Sequence, residues 1–159
     1  MSLLLLRHVH AGDRDAHDGD DRRRPVSTTG LKQALALVDR FSARTIVAIC
    51  SSPYTRCLQS VEPLAAAHGL VTEVLDELAE GAPFDLVQRF LRQQHRRGEQ
   101  LGGDVVLCSH GDVIGAVVEH LIDQGVELGT DEVRWQKAST WVLDGSLDDP
   151  VATYLPPLA

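Results

Sequence analysis

The chain has 159 residues, 43% of them apolar and 24% charged, and a formal net charge of -8 at neutral pH. That length suits one globular domain burying roughly 70% of the surface its unfolded chain exposes, and the composition excludes a disordered or fibrous chain. The net negative charge argues against broad attraction to nucleic-acid polymers or anionic membranes.

The first apolar run, residues 3–6, reads as a buried strand. Arg7 and His8 follow it at once, so it is too short for a signal-peptide core or a membrane span. Asp13, Asp15, Asp18, Asp20 and Asp21 then make an acidic loop. Its spacing fails as a calcium loop, because Arg24 stands where a bidentate Glu is needed, and a solvated, mobile loop is expected. Arg22, Arg23 and Arg24 read as a charge cluster from which Arg24, with Arg14, leans toward an anionic ligand.

Leu31, Ala34, Leu35, Val38 and Phe41 recur at helical spacing behind the cap candidates Ser27, Thr28 and Thr29, which predicts a first helix. A second strand is expected over residues 46–50. A helix after Pro53 should turn Leu58, Val61, Leu64 and Ala65 inward, end before Gly69 and be bent or interrupted at Pro63. A third strand is expected over residues 71–75. A helix over 84–97 should bury Phe84, Val87, Phe90 and Leu91 while Arg89, Arg92, Arg96 and Arg97 face outward. A fourth strand (105–108), a helix (112–123) and a strand (141–143) complete the pattern.

Strands alternating with helices predict an α/β fold, a three-layer α/β/α sandwich on a mostly parallel sheet. No repeat or linker composition interrupts it, so one domain over residues 1–159 is expected. Ligands of such sheets bind beyond the carboxyl ends of the strands. The first strand ends at Arg7-His8, the second just before Ser51-Ser52-Pro53 and Arg56, and the fourth at Ser109-His110-Gly111. Cys50, Cys57 and Cys108, odd in number and without Cys-x-x-Cys spacing, fit reduced packing thiols and a cytoplasmic setting.

The stretch Leu6-Arg7-His8-Val9-His10-Ala11-Gly12 resembles the Arg-His-Gly signature of the histidine phosphatase (phosphoglycerate mutase-like) superfamily, with Val9 in place of the usual small residue. Ser51-Ser52-Pro53-Tyr54-Thr55-Arg56-Cys57 resembles the family's Ser-Ser-Pro-x-x-Arg element, and Ser109-His110-Gly111 its second-histidine element. Residues 24–30 are similar to the small SixA-like members and to the phosphatase domains fused to some Nudix enzymes. The four elements, in order, span nearly the whole chain.

The resemblance implies a phosphoglycerate mutase-like fold and a phosphatase with His8 as covalent nucleophile. Arg7, Arg56 and His110 would hold the phosphoryl group, with Arg14, Arg24, Ser52 and Gly111 as further substrate contacts. Physically, two guanidiniums can grip a phosphoryl dianion through forked hydrogen bonds. A neutral His8, its tautomer fixed by an acceptor such as a backbone carbonyl, can then attack phosphorus in line. The leaving oxygen needs a proton, and the family draws it from a Glu or Asp after the third strand. Glu80 in Leu78-Ala79-Glu80 is preferred, and Glu77 is the alternate.

No metal or cofactor is expected, because arginines already neutralise the phosphate. His10 should line or border the pocket, His17 should be solvated, and His68, His95 and His120 should lie at the surface. No Gly-x-Ser-x-Gly elbow supports a serine hydrolase, and Cys57 and Cys108, which flank the matched elements, read as packing thiols. The expected partner is a phosphorylated small molecule or a phosphoprotein, phosphohistidine included. Little room remains for the insertions with which mutases enclose their substrates. The rival reading is a noncatalytic phosphate-binding module of the same fold.

Overall fold

The computed structural model describes residues 1–130 and 133–158. A six-stranded sheet with order β3-β2-β4-β1-β5-β6 forms its centre. The strands are β1 (Ser2–Arg7), β2 (Ile46–Ser51), β3 (Glu73–Val74), β4 (Asp104–Ser109), β5 (Thr140–Asp144) and β6 (Val151–Leu155), and the helices are α1 (Thr28–Arg40), α2 (Thr55–His68), α3 (Phe84–Leu101) and α4 (Gly111–Asp123).

Strand β1 is apolar on both faces because both faces are covered. Leu3 and Leu5 pack into the core beneath α3 and α4, whereas Leu4 and Leu6 pack into the core beneath α1 and α2. The alternation of side chains along a strand thus sends one continuous apolar run into two cores. β1 pairs in parallel with β4, and β2 pairs in parallel with β4 and β3. These pairings align the carboxyl ends of β1, β2 and β4 at one edge.

The expected α/β sandwich is present, and the sheet is mostly parallel, with an antiparallel flank. β5 runs antiparallel to β1, and β6, which the sequence reading omits, runs antiparallel to β5. β6 has only Ala152 fully buried, so no apolar run announces it. β3 is shorter than expected. Val71 is 87% exposed, and the two residues that pair do so at the sheet margin.

Helix α1 begins where Ser27 accepts a hydrogen bond from the Gly30 amide. It buries Gly30, Ala34 and Leu37, with Phe41 just beyond, and leaves Leu31 and Leu35 exposed. The inward stripe therefore lies about one residue round from the expected one. α2 continues through Pro63 to His68 and closes at Gly69, whose φ of 65° suits a left-handed cap. α3 runs one turn beyond its expected end, to Leu101, and closes at Gly102, whose φ of 72° suits a left-handed cap, while Gly98 fits tightly against Gly103 and Met1, where a side chain would collide.

Candidate active site

A cavity of about 580 Å³ opens at the carboxyl edge of the parallel strands, lined among others by Arg7, His8, Arg56, Glu80, His110 and Gly111. The three predicted strand ends therefore meet. The His8 amide donates to the Ser109 carbonyl at 3.0 Å, and the Ser52 amide donates to the Cys108 carbonyl at 3.0 Å, so the strand ends are tied to one another as they leave the sheet.

His8 is 4% exposed. Its Nδ1 lies 2.8 Å from the carbonyl of Val9, an oxygen that can only accept. Nδ1 therefore carries the proton, and Nε2 keeps its lone pair. Burial, and then the neighbouring His110, Arg56 and Arg7, hold the His8 pKa down at about 3 against the opposing pull of the Val9 carbonyl. Ser60 keeps the following peptide in place: its hydroxyl accepts from the Val9 amide at 2.9 Å and donates to the Arg56 carbonyl.

His110 is buried beside His8, with ring centroids 5.5 Å apart and edges meeting. Its Nε2 lies 2.8 Å from the Ser52 hydroxyl, and Tyr54 packs edge-on at 4.6 Å. Ser52 is itself fully buried and is not part of the cavity wall. Its hydroxyl lies behind His110 and meets the ring nitrogen there. Cys57, also buried, sits 3.6 Å from the same Nε2.

Arg7 lies flat against the start of α4. A Cβ on Gly111 would come within 2.9 Å of the Arg7 Cζ, so only glycine leaves room for the guanidinium there. Arg7 Nη1 donates to the Trp135 carbonyl at 2.8 Å. Burial is the main influence on the Arg7 pKa and lowers it. Arg56, 1% exposed, spans the floor. Its Nη1 meets the Asp21 carboxylate at 3.2 Å, and its Nη2 meets Glu80 at 3.5 Å. Arg7 Nε, Arg56 Nε and His110 Nδ1 are all buried without a hydrogen-bond partner among the described residues.

Glu80 belongs to the wall and Glu77 does not. The Ser109 hydroxyl donates to the Leu78 carbonyl at 2.6 Å, and the Gly81 amide donates to Asp112 at 2.8 Å. These two bonds present Glu80 to the cavity, where Arg14 Nη2 meets it at 2.9 Å. Glu77 lines a separate depression with Val74, Leu75 and Pro83.

Arg14 and Arg24 both border the cavity. Arg24 is 6% exposed, and its donors go to Asp21 and the carbonyls of Ala11 and Gly12, so it braces the loop after His8. Asp21 pairs with Arg14, Arg24 and Arg56 together. The expectation of a freely solvated acidic loop is therefore corrected at Asp21. His10 is also reassigned: its Nδ1 lies 2.6 Å from the Ser27 hydroxyl at the cap of α1, away from the cavity wall.

The sequence reading misses Asp112, Glu119, Trp135 and Lys137, which complete the wall. Asp112 and Glu119 follow the Ser-His-Gly element at helical spacing and could have been placed on the cavity side of α4. Trp135 and Lys137 lie in an irregular segment, where neither strand nor helix periodicity assigns a face. Among the described residues no group of three or more His, Cys, Asp or Glu side chains could hold a metal ion, and no helix is long and apolar enough to cross a membrane.

Relatives of this chain are recognisable both in sequence and in fold. The profile of the histidine phosphatase superfamily (branch 1) matches residues 3–86. An 8-oxo-(d)GTP phosphatase of Mycolicibacterium smegmatis is 31% identical over 163 residues, covering 98% of this chain but 48% of that protein. The chain thus spans about half the length of that relative. Among solved structures, the protein histidine phosphatase SixA complexed with tungstate has a TM-score of 0.75 at 20% identity, covering 96% of this chain and 94% of its own. A mycobacterial glucosyl-3-phosphoglycerate phosphatase has a TM-score of 0.70 at 18% identity, covering 96% of both chains.

Proposed function

Because this chain belongs to the histidine phosphatase superfamily (branch 1), we propose that it is a phosphatase that passes the phosphoryl group of its substrate through His8, with no metal ion required. The observation that carries this reading is the state of His8: buried, neutral, with Nδ1 on a backbone carbonyl and Nε2 left as a nucleophile beside Arg7, Arg56 and His110.

Arg7, Arg56 and His110 bind the phosphoryl oxygens, which supply the acceptors their buried nitrogens lack. The His8 Nε2 lone pair forms the N–P bond as the P–O bond of the ester breaks. The leaving oxygen takes a proton from Glu80. Water then attacks phosphorus and gives its proton to Glu80, and the N–P bond breaks to release phosphate and neutral His8. Gly111 matters through the room it leaves for Arg7, and Ser52 through His110. Arg14 and Arg24 act at the rim, where Arg14 holds Glu80 and Arg24 fixes the loop.

The relatives named above are a protein histidine phosphatase, a glucosyl-3-phosphoglycerate phosphatase and an 8-oxo-(d)GTP phosphatase, and what these share is removal of a phosphoryl group. The proposed substrate class is accordingly a phosphomonoester or a phosphohistidine. The reaction is tested by incubating the native chain and His8→Ala with p-nitrophenyl phosphate in EDTA. Turnover that survives chelation and disappears with His8 supports the proposal. Phosphate binding without turnover by the native chain would instead support a noncatalytic module.

A further inference from the structure

The cavity extends past His8 and the three residues that would grip one phosphoryl group, toward the described part of the irregular segment before β5. Two side chains of that segment line it, Trp135 and Lys137. Lys137 makes no hydrogen bond or ion pair among the described residues, whereas Arg14, Arg24 and Arg56 are each matched to Asp21 or Glu80.

The segment is fastened to the catalytic strand. The Ala138 amide donates to the carbonyls of both Arg7 and His8, at 3.1 and 3.0 Å, and the Arg7 amide donates to the Ser139 carbonyl at 3.0 Å. Ala138 adopts φ 66°, a left-handed conformation unfavourable for a residue with a Cβ, and this turn sets where Lys137 leaves the backbone. Trp135 is fixed in turn by Gly115: a Cβ there would come within 2.8 Å of its ring.

Partial burial, and then the charges of Arg7, Arg24 and Arg56, lower the Lys137 pKa, while Asp13 opposes them. An ammonium with no ion pair among the described residues, on which three guanidiniums act more strongly than the Asp13 carboxylate, favours a ligand that brings further negative charge. One phosphoryl group is already served by Arg7, Arg56 and His110.

Resting on the phosphatase reading above, we propose that Lys137, beside the flat wall of Trp135, forms a second anion subsite. The preferred substrate would then carry another phosphoryl or carboxylate group within a few bonds of the scissile phosphate. Lys137 is a specificity residue in this arrangement and takes no part in bond breaking.

The test is calorimetric binding in EDTA, which needs no turnover. The probes are inorganic phosphate, methylenediphosphonate (two phosphoryl-like groups) and phosphonoacetate (one such group and a carboxylate). Native protein should bind at least one two-anion probe about tenfold or more tighter than phosphate, and the probe favoured identifies the second group. Lys137→Met and Lys137→Gln should bring that ratio to within about twofold of unity, and Lys137→Arg should retain most of it. The inference is overturned if native protein binds neither two-anion probe better than phosphate, or if a folded Lys137→Met or Lys137→Gln keeps the preference. Failure of native protein to bind phosphate at all would instead remove the phosphatase reading beneath it.

Discussion

The floor and the rim of the cavity are built in different ways. Floor residues Arg7, His8, Arg56 and His110 leave the ends of parallel strands or the helix turns directly after them, are largely buried, and are held by bonds between neighbouring strand ends. The rim is assembled from the Arg14 loop, the Glu80 turn and the Trp135–Lys137 segment, which are far apart in sequence and more exposed. A rigid floor can serve one chemical step, and a composite rim can adapt to what is attached to the phosphate.

If this contrast is right, damage to the floor should stop the reaction and damage to the rim should change its selectivity. His8→Ala is expected to reduce turnover of p-nitrophenyl phosphate by at least about 10⁴-fold, and native protein quenched in alkaline detergent should carry base-stable, acid-labile phosphate that the variant lacks. Arg56→Ala should follow at about 10²- to 10³-fold, read as kcat/KM, since it removes a donor to charge that develops in the transition state.

At the rim, Glu80→Gln should cost about 10²-fold with an alkyl phosphate, whose leaving oxygen needs a proton, and much less with p-nitrophenyl phosphate, whose leaving group is stable as an anion. Glu77→Gln should change neither. Read as kcat/KM, which reports the step that phosphorylates His8, equal losses with both substrates would show that Glu80 does not protonate the leaving oxygen.

The smallest expected effect is on stability. His8 binds a proton less readily in the folded chain, at about 3, than in the unfolded chain, at about 6.5. Below the unfolded value the unfolded state takes up more protons, so stability falls as pH drops from about 6.5 toward 3. Urea unfolding at several pH values should give a shallower acid slope for His8→Asn than for the native chain.

The same division governs what the sequence reveals. Each floor residue sits at the end of an apolar run or one helix turn past it, so pattern and position coincide. Local pattern prefers Glu80 but keeps Glu77 as an alternate, and the two differ in the structure by tertiary bonds from Ser109 and to Asp112. Asp21 reads as one carboxylate among five, because its arginine partners come from three segments. Trp135 and Lys137 lie where periodicity is silent. β6 was lost for a related reason: a half-solvated margin strand needs little apolar content.

The bifurcated hydrogen bond from the Ala138 amide to the carbonyls of Arg7 and His8 sets a boundary in the architecture. Upstream of that fastening, Trp135 and Lys137 lend side chains to the rim while the Trp135 carbonyl accepts from Arg7 on the floor. A fold divided in this way can diversify in what it recognises while keeping a single reaction, since the two properties meet at one residue.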